Sequence, residues 1–237
     1  TVVSYTWSML SEVLHAPGFD PAQLSTVRLF MGSGLPTGLW AEIDRELPNA
    51  KVLEFFATAD GSAILSNIDG SKIGAMGRPL PETNAVELAA YRPDLRQLEV
   101  DAHSGFVRRA EVNEVGMLMA HVGQRYEAGG RVLRDVFRPR DRWEVSGLLF
   151  RRDHEGDLWF MGSEAAVIET ADGVVYPEPI RQALSRVPSV DQVVVFGVGE
   201  HGSQVAVAAI TLRDGAASTT PTQLRIALGE LAANQRP

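Results

Sequence analysis

Apolar residues recur along the first third of the chain at helical and strand periods in turn. Trp7, Leu10 and Leu14 stand at i, i+3 and i+7, one stripe of a helix over Thr6 to His15 that Pro17 and Gly18 break. Val27 to Met31 is a short, continuously apolar run suited to a buried strand, and Gly32 to Pro36 is a tight loop. Leu39, Trp40, Ile43 and Leu47 then share one face of a helix over Thr37 to Leu47, and Lys51 to Phe56 is the next strand. A strand, loop, helix and strand in this order predict a parallel pair with a right-handed crossover.

After about Lys72 the pattern shortens. Ala85–Tyr91, Leu95–Val100, Gly105–Arg109, Val115–His121 and Leu148–Arg152 are strand-like runs separated by turn residues, the spacing of a small twisted sheet or barrel. Asp153 to Gly156 forms a hairpin turn into Asp157–Met161. The last part returns to mixed periods. Pro177 opens a helix whose Ile180, Leu184 and Val187 share a face, with Glu178 in its first turn and Arg186 near its end. Two strands follow, Val190–Val198 and Val205–Leu212, and Thr220-Pro221-Thr222-Gln223 has the capping-box form. The boundaries read as 1–72, 73–161 and 163–237, the last a small α+β unit.

Composition narrows the function classes. The chain has 237 residues, 22 Lys+Arg against 30 Asp+Glu, a net charge of −8 and no cysteine. An acidic balance argues against nucleic acid or an anionic membrane as the main partner. Thiolate chemistry, disulfides and cysteine metal sites are excluded. Only Lys51 and Lys72 are lysines, an arginine skew that fits a GC-rich genome and leaves few candidates for lysine chemistry. The longest strongly apolar run, Val193 to Phe196, is far short of the ~20 residues of a membrane helix. No signal peptide is visible, so a cytoplasmic setting is expected. The absent initiator Met and the stop at Pro237 read as the ends of a piece of a larger protein.

Two local features invite chemistry. Gly32-Ser33-Gly34, ahead of a helix, offers backbone amides and a positive helix end to an anion or nucleotide. As a dinucleotide fingerprint with Gly38 it is one residue too long, although Glu54 lies about 20 residues on; a plain strand-to-helix turn is the simpler alternative. Glu54 to Gly61 ends a strand in two aromatics and a carboxylate-glycine turn, where an aromatic can stack on a base and Asp60 can hold Mg²⁺ beside phosphates. On residue types alone, a core Phe pair and a solvated turn Asp is the stronger reading. The five histidines are scattered and read as surface or turn residues. The cluster of Arg138, Arg140 and Arg142 reads first as a solvated loop.

Taken in order, these motifs resemble the adenylate-forming ligases, in the long- and very-long-chain acyl-CoA synthetase branch that includes fatty-acid transport proteins. Val27 to Leu35 with Trp40 resembles that branch's strand and glycine loop. Glu54 to Gly61 is similar to its Glu-Phe-Tyr-Gly-Ala-Thr-Glu-Gly signature, and Gly74 to Pro79 to its Gly-x-x-Gly-Arg-Pro element. Glu114 to Leu118, Val145 to Leu148, Arg152 to Phe160, Gly173 to Ile180, Val187 to Val190 and Gly197 to Gly202 continue the resemblance across nearly the whole chain.

The resemblance implies an α/β fold: the C-terminal part of the large ligase domain, with a parallel α/β unit and a small β-barrel-like sheet, then a truncated small α+β domain. It implies adenylation of a fatty acid with ATP and Mg²⁺, then transfer to CoA after the small domain rotates. Gly32, Ser33, Gly34, Phe56 and Ala57 would line the nucleotide and acyl site, Asp60 would take the metal-binding place, and Gly162 would stand at the hinge. The phosphate loop and the catalytic lysine are expected outside this segment, so the piece alone should not catalyse and no catalytic residue is assigned. The remainder of its own chain is the implied partner, and some relatives of this kind are fused to a hydrolase domain.

Departures from the signatures matter as well. Ala59 replaces the Thr beside the metal carboxylate, Gly147 the ribose-binding Asp, Gly162 the hinge acid, and Ser163 the Arg past the hinge. Each lost polar contact removes about 1–3 kcal/mol of ATP binding, and the three at Ala59, Gly147 and Ser163 together lower affinity by orders of magnitude. An inactive, ligase-like domain that binds an acyl or nucleotide ligand or a partner domain is therefore the alternative.

Overall fold

The computed structural model describes residues 1–123, 130–215, 219–232, 235 and 236. Its first unit is a five-stranded sheet in sequence order: β1 (Val2–Thr6), β2 (Leu29–Ser33), β3 (Lys51–Ala57), β4 (Ile64–Asn67) and β5 (Arg78–Pro79). The first three strands run parallel and the last two antiparallel. Helix α1 (Trp7–Leu14) follows β1 directly, with the Thr6 hydroxyl accepting from the Met9 amide at 3.4 Å. Helix α2 (Thr37–Glu46) joins β2 to β3. The two helices and the strands bury one core, in which Phe30, Leu35, Trp40 and Ile43 are at most 1% exposed. All four residues of the α2 stripe are buried, as its periodicity requires.

The second sheet is antiparallel and curls. Its strands are β6 (Val86–Arg92), β7 (Gln97–Leu98), β8 (Val115–His121), β9 (Arg131–Arg134), β10 (Arg142–Arg152) and β11 (Leu158–Ser163). The order is β11-β10-β8-β6-β7, with β9 pairing the first residues of β10, Arg142 to Val145, on the edge opposite β8. The pairing of β10 with β8 slips between Val145 and Leu149, and its pairing with β11 slips between Leu149 and Phe150. Such bulges bend a long strand and tighten its twist. One face packs Leu88, Leu118, Phe150 and Leu158 against Leu65 of the first sheet, and the other buries Met117, Met119, Trp143 and Leu149.

The third unit begins with the hairpin β12 (Ile168–Thr170) and β13 (Gly173–Val175). Helix α3 (Pro177–Ser185), the ribbon β14 (Val190–Val198) and β15 (Val205–Leu212), and helix α4 (Pro221–Leu228) follow. The expected capping box forms at Thr220 and Gln223.

Several expected elements change size. Leu95–Val100 keeps only two strand residues, and Gly105–Arg109 contributes isolated bridges from Val107 and Arg109. The strand expected over Leu148–Arg152 begins six residues earlier, at Arg142.

Candidate functional site

Gly32 lies directly opposite Glu54 in the parallel β2–β3 pair, so the glycine loop and the aromatic turn emerge at the same end of adjacent strands. Ligands of α/β sheets gather at the carboxyl ends of parallel strands. Ser33 and Ala57 are exposed there, Gly32 is buried and Gly34 half-buried.

Glu54 binds this corner together from below. Its carboxylate, 1% exposed, accepts from the Tyr5 hydroxyl at 2.6 Å, from the Leu35 amide at 3.2 Å and from the Gly34 amide. Burial pushes its pKa up to about 7, against the lowering pull of those three donors and of the Arg181 charge. The glycine-loop amides thus meet a carboxyl group of the chain itself. Glu54 does not project as a ribose-binding acid would, which removes the dinucleotide alternative.

Phe56 is half-buried. Its ring meets Phe150 edge to face, with centroids 5.2 Å apart and planes at 70°, so part of it belongs to the core beneath the second sheet. The turn after β3 carries Asp60, whose Oδ1 accepts from the Ser62 amide at 3.3 Å and the Ser62 hydroxyl at 3.1 Å. Glu144 of β10, only 6% exposed, hydrogen-bonds the same carboxylate. Burial acts to raise the Asp60 pKa, but hydrogen bonds from Glu144, Thr58 and Ser62 outweigh it and hold the group at about 2. Burial, then the neighbouring Asp60, raises the Glu144 pKa. Among the described residues no group of three or more His, Cys, Asp or Glu could hold a metal ion.

The remaining candidates lie apart from this corner. Gly147 occupies the β10 bulge with φ +72°, and the neighbouring Ser146 hydroxyl ties that bulge to the Leu118 carbonyl at 2.8 Å. Gly162 is buried near the end of β11 with φ +124°, a backbone conformation that other residues adopt only with strain. Lys72 is held by Asp153, Glu155 and Asp157 at 2.7–2.8 Å, a structural clamp between the loop before β5 and the β10–β11 turn. Within the arginine cluster, Asp141 is the organising residue. Buried, it accepts from the amides of Val136, Phe137 and Arg138 and from the Trp143 indole.

Sequence reasoning missed Glu144 and Asp141, because a carboxylate between arginines or hydrophobes looks like any solvated acid. The alternation of Trp143 and Val145 around Glu144 was the available signal.

The fold has close counterparts among solved structures. The chain superposes over its whole length on 45% of the anthranilate CoA ligase AuaEII in complex with anthranoyl-AMP, with TM-score 0.74 and 19% identity. It also superposes on 46% of ATP-bound MatB from Rhodopseudomonas palustris, with TM-score 0.71 and 20% identity. The fold is therefore that of the C-terminal region of adenylate-forming ligases.

Sequence relatives point to the same class. The chain is 26% identical over 242 aligned residues to the medium/long-chain-fatty-acid–CoA ligase FadD6 of Mycobacterium tuberculosis, covering 98% of this chain and 40% of that protein. Bovine long-chain fatty acid transport protein 1 is 24% identical, over 94% of this chain and 37% of its own length. No family model matches the chain. Its homologues are fatty-acid–CoA ligases and acyl-CoA ligases of the adenylate-forming superfamily, and it spans about two-fifths of their length.

Proposed function

We propose that this chain is the second part of an ATP-dependent fatty-acid–CoA ligase, which adenylates a fatty acid and passes the acyl group to the thiol of CoA. The observation that carries this reading is the alignment of 98% of the chain with a fatty-acid–CoA ligase. The shared position of the glycine loop and the Phe56 turn at adjacent strand ends supports it.

In this reading residues 1–72 close the large domain, 73–161 form its barrel-like part and 163–237 begin the small C-terminal domain. The chain turns between them at Gly162, whose backbone conformation favours glycine. Gly32, Ser33, Gly34, Phe56 and Ala57 line the nucleotide and acyl pocket. The rest of the chain supplies the phosphate loop and the catalytic lysine, with a fused hydrolase as one candidate neighbour. The setting is the cytoplasm; among the described residues no helix is long and apolar enough to cross a membrane.

Asp60 is the residue that would face Mg²⁺. Magnesium takes one or two carboxylates plus phosphate oxygens, and the Asp60 carboxylate is engaged by Ser62 and Glu144. The Ser62 hydroxyl and the Glu144 carboxyl therefore compete for the oxygens that the ion would use. The test is acyl-CoA formation by the full-length parent with Mg·ATP, CoA and fatty acids of graded length. Product at any length supports ligation, and none at every length overturns it.

The engaged Asp60, together with Gly147 in a bulge that offers no ribose carboxylate, favours one other reading. In it the domain binds an acyl or nucleotide ligand, or a partner domain, without adenylating. Micromolar binding of Mg·ATP that disappears in Asp60→Ala would count against that reading.

A further inference from the structure

From Gly34 to Gly38 the backbone offers four amides, since Pro36 has none, and a side chain accepts from each of them. The first two are held from within the sheet: Gly34 and Leu35 donate to the carboxyl group of Glu54 on β3. The next two are held by the C-terminal unit. The Thr37 amide donates to Gln182 Oε1 at 2.8 Å and the Gly38 amide to the Ser185 hydroxyl at 3.3 Å, both on α3. Helix α2 has no side-chain cap of its own, so its opening amides are satisfied from 145 residues further along the chain.

The contact is built on both sides. The Thr37 hydroxyl donates to the Gln182 carbonyl at 2.8 Å. The Gln182 amide group donates to Glu178 at 2.6 Å, and Arg181 holds the same carboxylate oxygen at 2.5 Å, so the side chain that receives Thr37 is itself oriented. Gly38 permits the approach, since a Cβ there would lie 1.9 Å from the Ser185 carbonyl oxygen.

One residue separates the two pairs of amides. Pro36 has φ −59°, fixed by its ring, so the chain cannot absorb a movement of Thr37 by rotating there. A second line joins α3 to the loop: the Arg181 charge favours the ionised form of Glu54, although burial has the larger, opposite effect.

We propose that Gln182 and Ser185 are positioning residues for the glycine loop: α3, seated on the first turn of α2, fixes where Gly32, Ser33 and Gly34 stand. What the loop binds rests on the ligase reading; its coupling to α3 rests on the hydrogen bonds alone. Amide hydrogen exchange of the 237-residue chain, followed by NMR, tests the coupling. Gln182→Met keeps the side-chain length and removes the acceptor, so Thr37 exchanges faster whatever the role. We expect Gly34 and Leu35, whose acceptor is Glu54, to exchange about tenfold faster as well, the size of one lost hydrogen bond. Ser185→Ala should act in the same direction, and Ser185→Thr, which keeps the hydroxyl, should restore wild-type exchange. Protection of the buried Met117, Leu118 and Met119 amides of β8 reports that each variant is folded, and the Ser185 pair decides the question if Gln182→Met loses it. In the full-length parent, Gln182→Met should raise the KM for Mg·ATP or fatty acid by more than it lowers kcat. Faster exchange confined to Thr37 and Gly38 in folded variants overturns the coupling, and an active parent with unmoved KM values overturns its role at the pocket. A parent that forms no acyl-CoA removes the ligase reading and leaves the coupling to be decided by exchange.

Discussion

The first and third units use the same ingredients, helices and strands with alternating apolar positions, and finish differently. In the first, strands β1–β3 and helices α1 and α2 close around one core, with Phe30, Trp40 and Ile43 at most 1% exposed. In the third, α3 and α4 cover only one face of the β14–β15 ribbon. Ile180 and Leu184 are buried there, while Val194, Phe196, Val198 and Val205 stand 44–63% exposed on the other face. A strand's two faces are independent surfaces. Apolar alternation guarantees one buried face, and only a second layer buries both.

The largest effect should come from breaking the closed core. Trp40→Ala should cost about 3–5 kcal/mol in a denaturant titration, the range for large buried aromatics. A cost below 1 kcal/mol would mean that the first unit is no better packed than the ribbon.

Next comes pH. The folded-state pKa of Glu54, about 7, lies above its ordinary 4.5, so the folded chain holds this proton longer than the unfolded one. Its contribution is complete below pH 4.5 and is lost as pH rises through 7, on the order of 3 kcal/mol in all. Stability followed from pH 4.5 to 7.5 should fall, and Glu54→Gln should flatten that slope. An unchanged slope would assign the pH dependence to another group.

The joint between the units should respond less. Gly38→Ala places a methyl group against the Ser185 carbonyl and should cost about 1–3 kcal/mol. The chain has no cysteine of its own, so cysteines introduced for spin labels on α1 and α4 would report α3 moving away from α2. Unchanged label distances would show that the contact does not hold the pose. The smallest effect belongs to the open face. Val194→Ser should alter stability by less than about 0.5 kcal/mol, and a larger loss would reveal a second layer on the ribbon.

Much of this was legible from residue order. The stripes of α2 and α3, the strand bounds Val115–His121, Val190–Val198 and Val205–Leu212, and the Thr220 capping box match what local pattern requires. Local pattern failed where pairing partners are distant. Val2–Thr6 pairs with Leu29–Ser33, a partner that its own five residues do not specify. Arg142–Val145 extends β10 despite its charges, because β8 and β9 flank it. At the site, the glycine loop and aromatic turn were visible as motifs, but their donors and acceptors were not.

By itself, then, the sequence determined the amphipathic helices and the longer apolar strands, the order of the ligase-like motifs, and which signature side chains are missing at Ala59, Gly147 and Ser163. Those properties are local or additive along the chain. Only the tertiary structure decided that the glycine-loop amides answer to Glu54, that Asp60 is held by Glu144, and that Arg151 donates to Asn113. Each of these joins residues about 20 to 84 positions apart. Burial and hydrogen bonding depend on what the fold brings near, and residue type alone does not specify that.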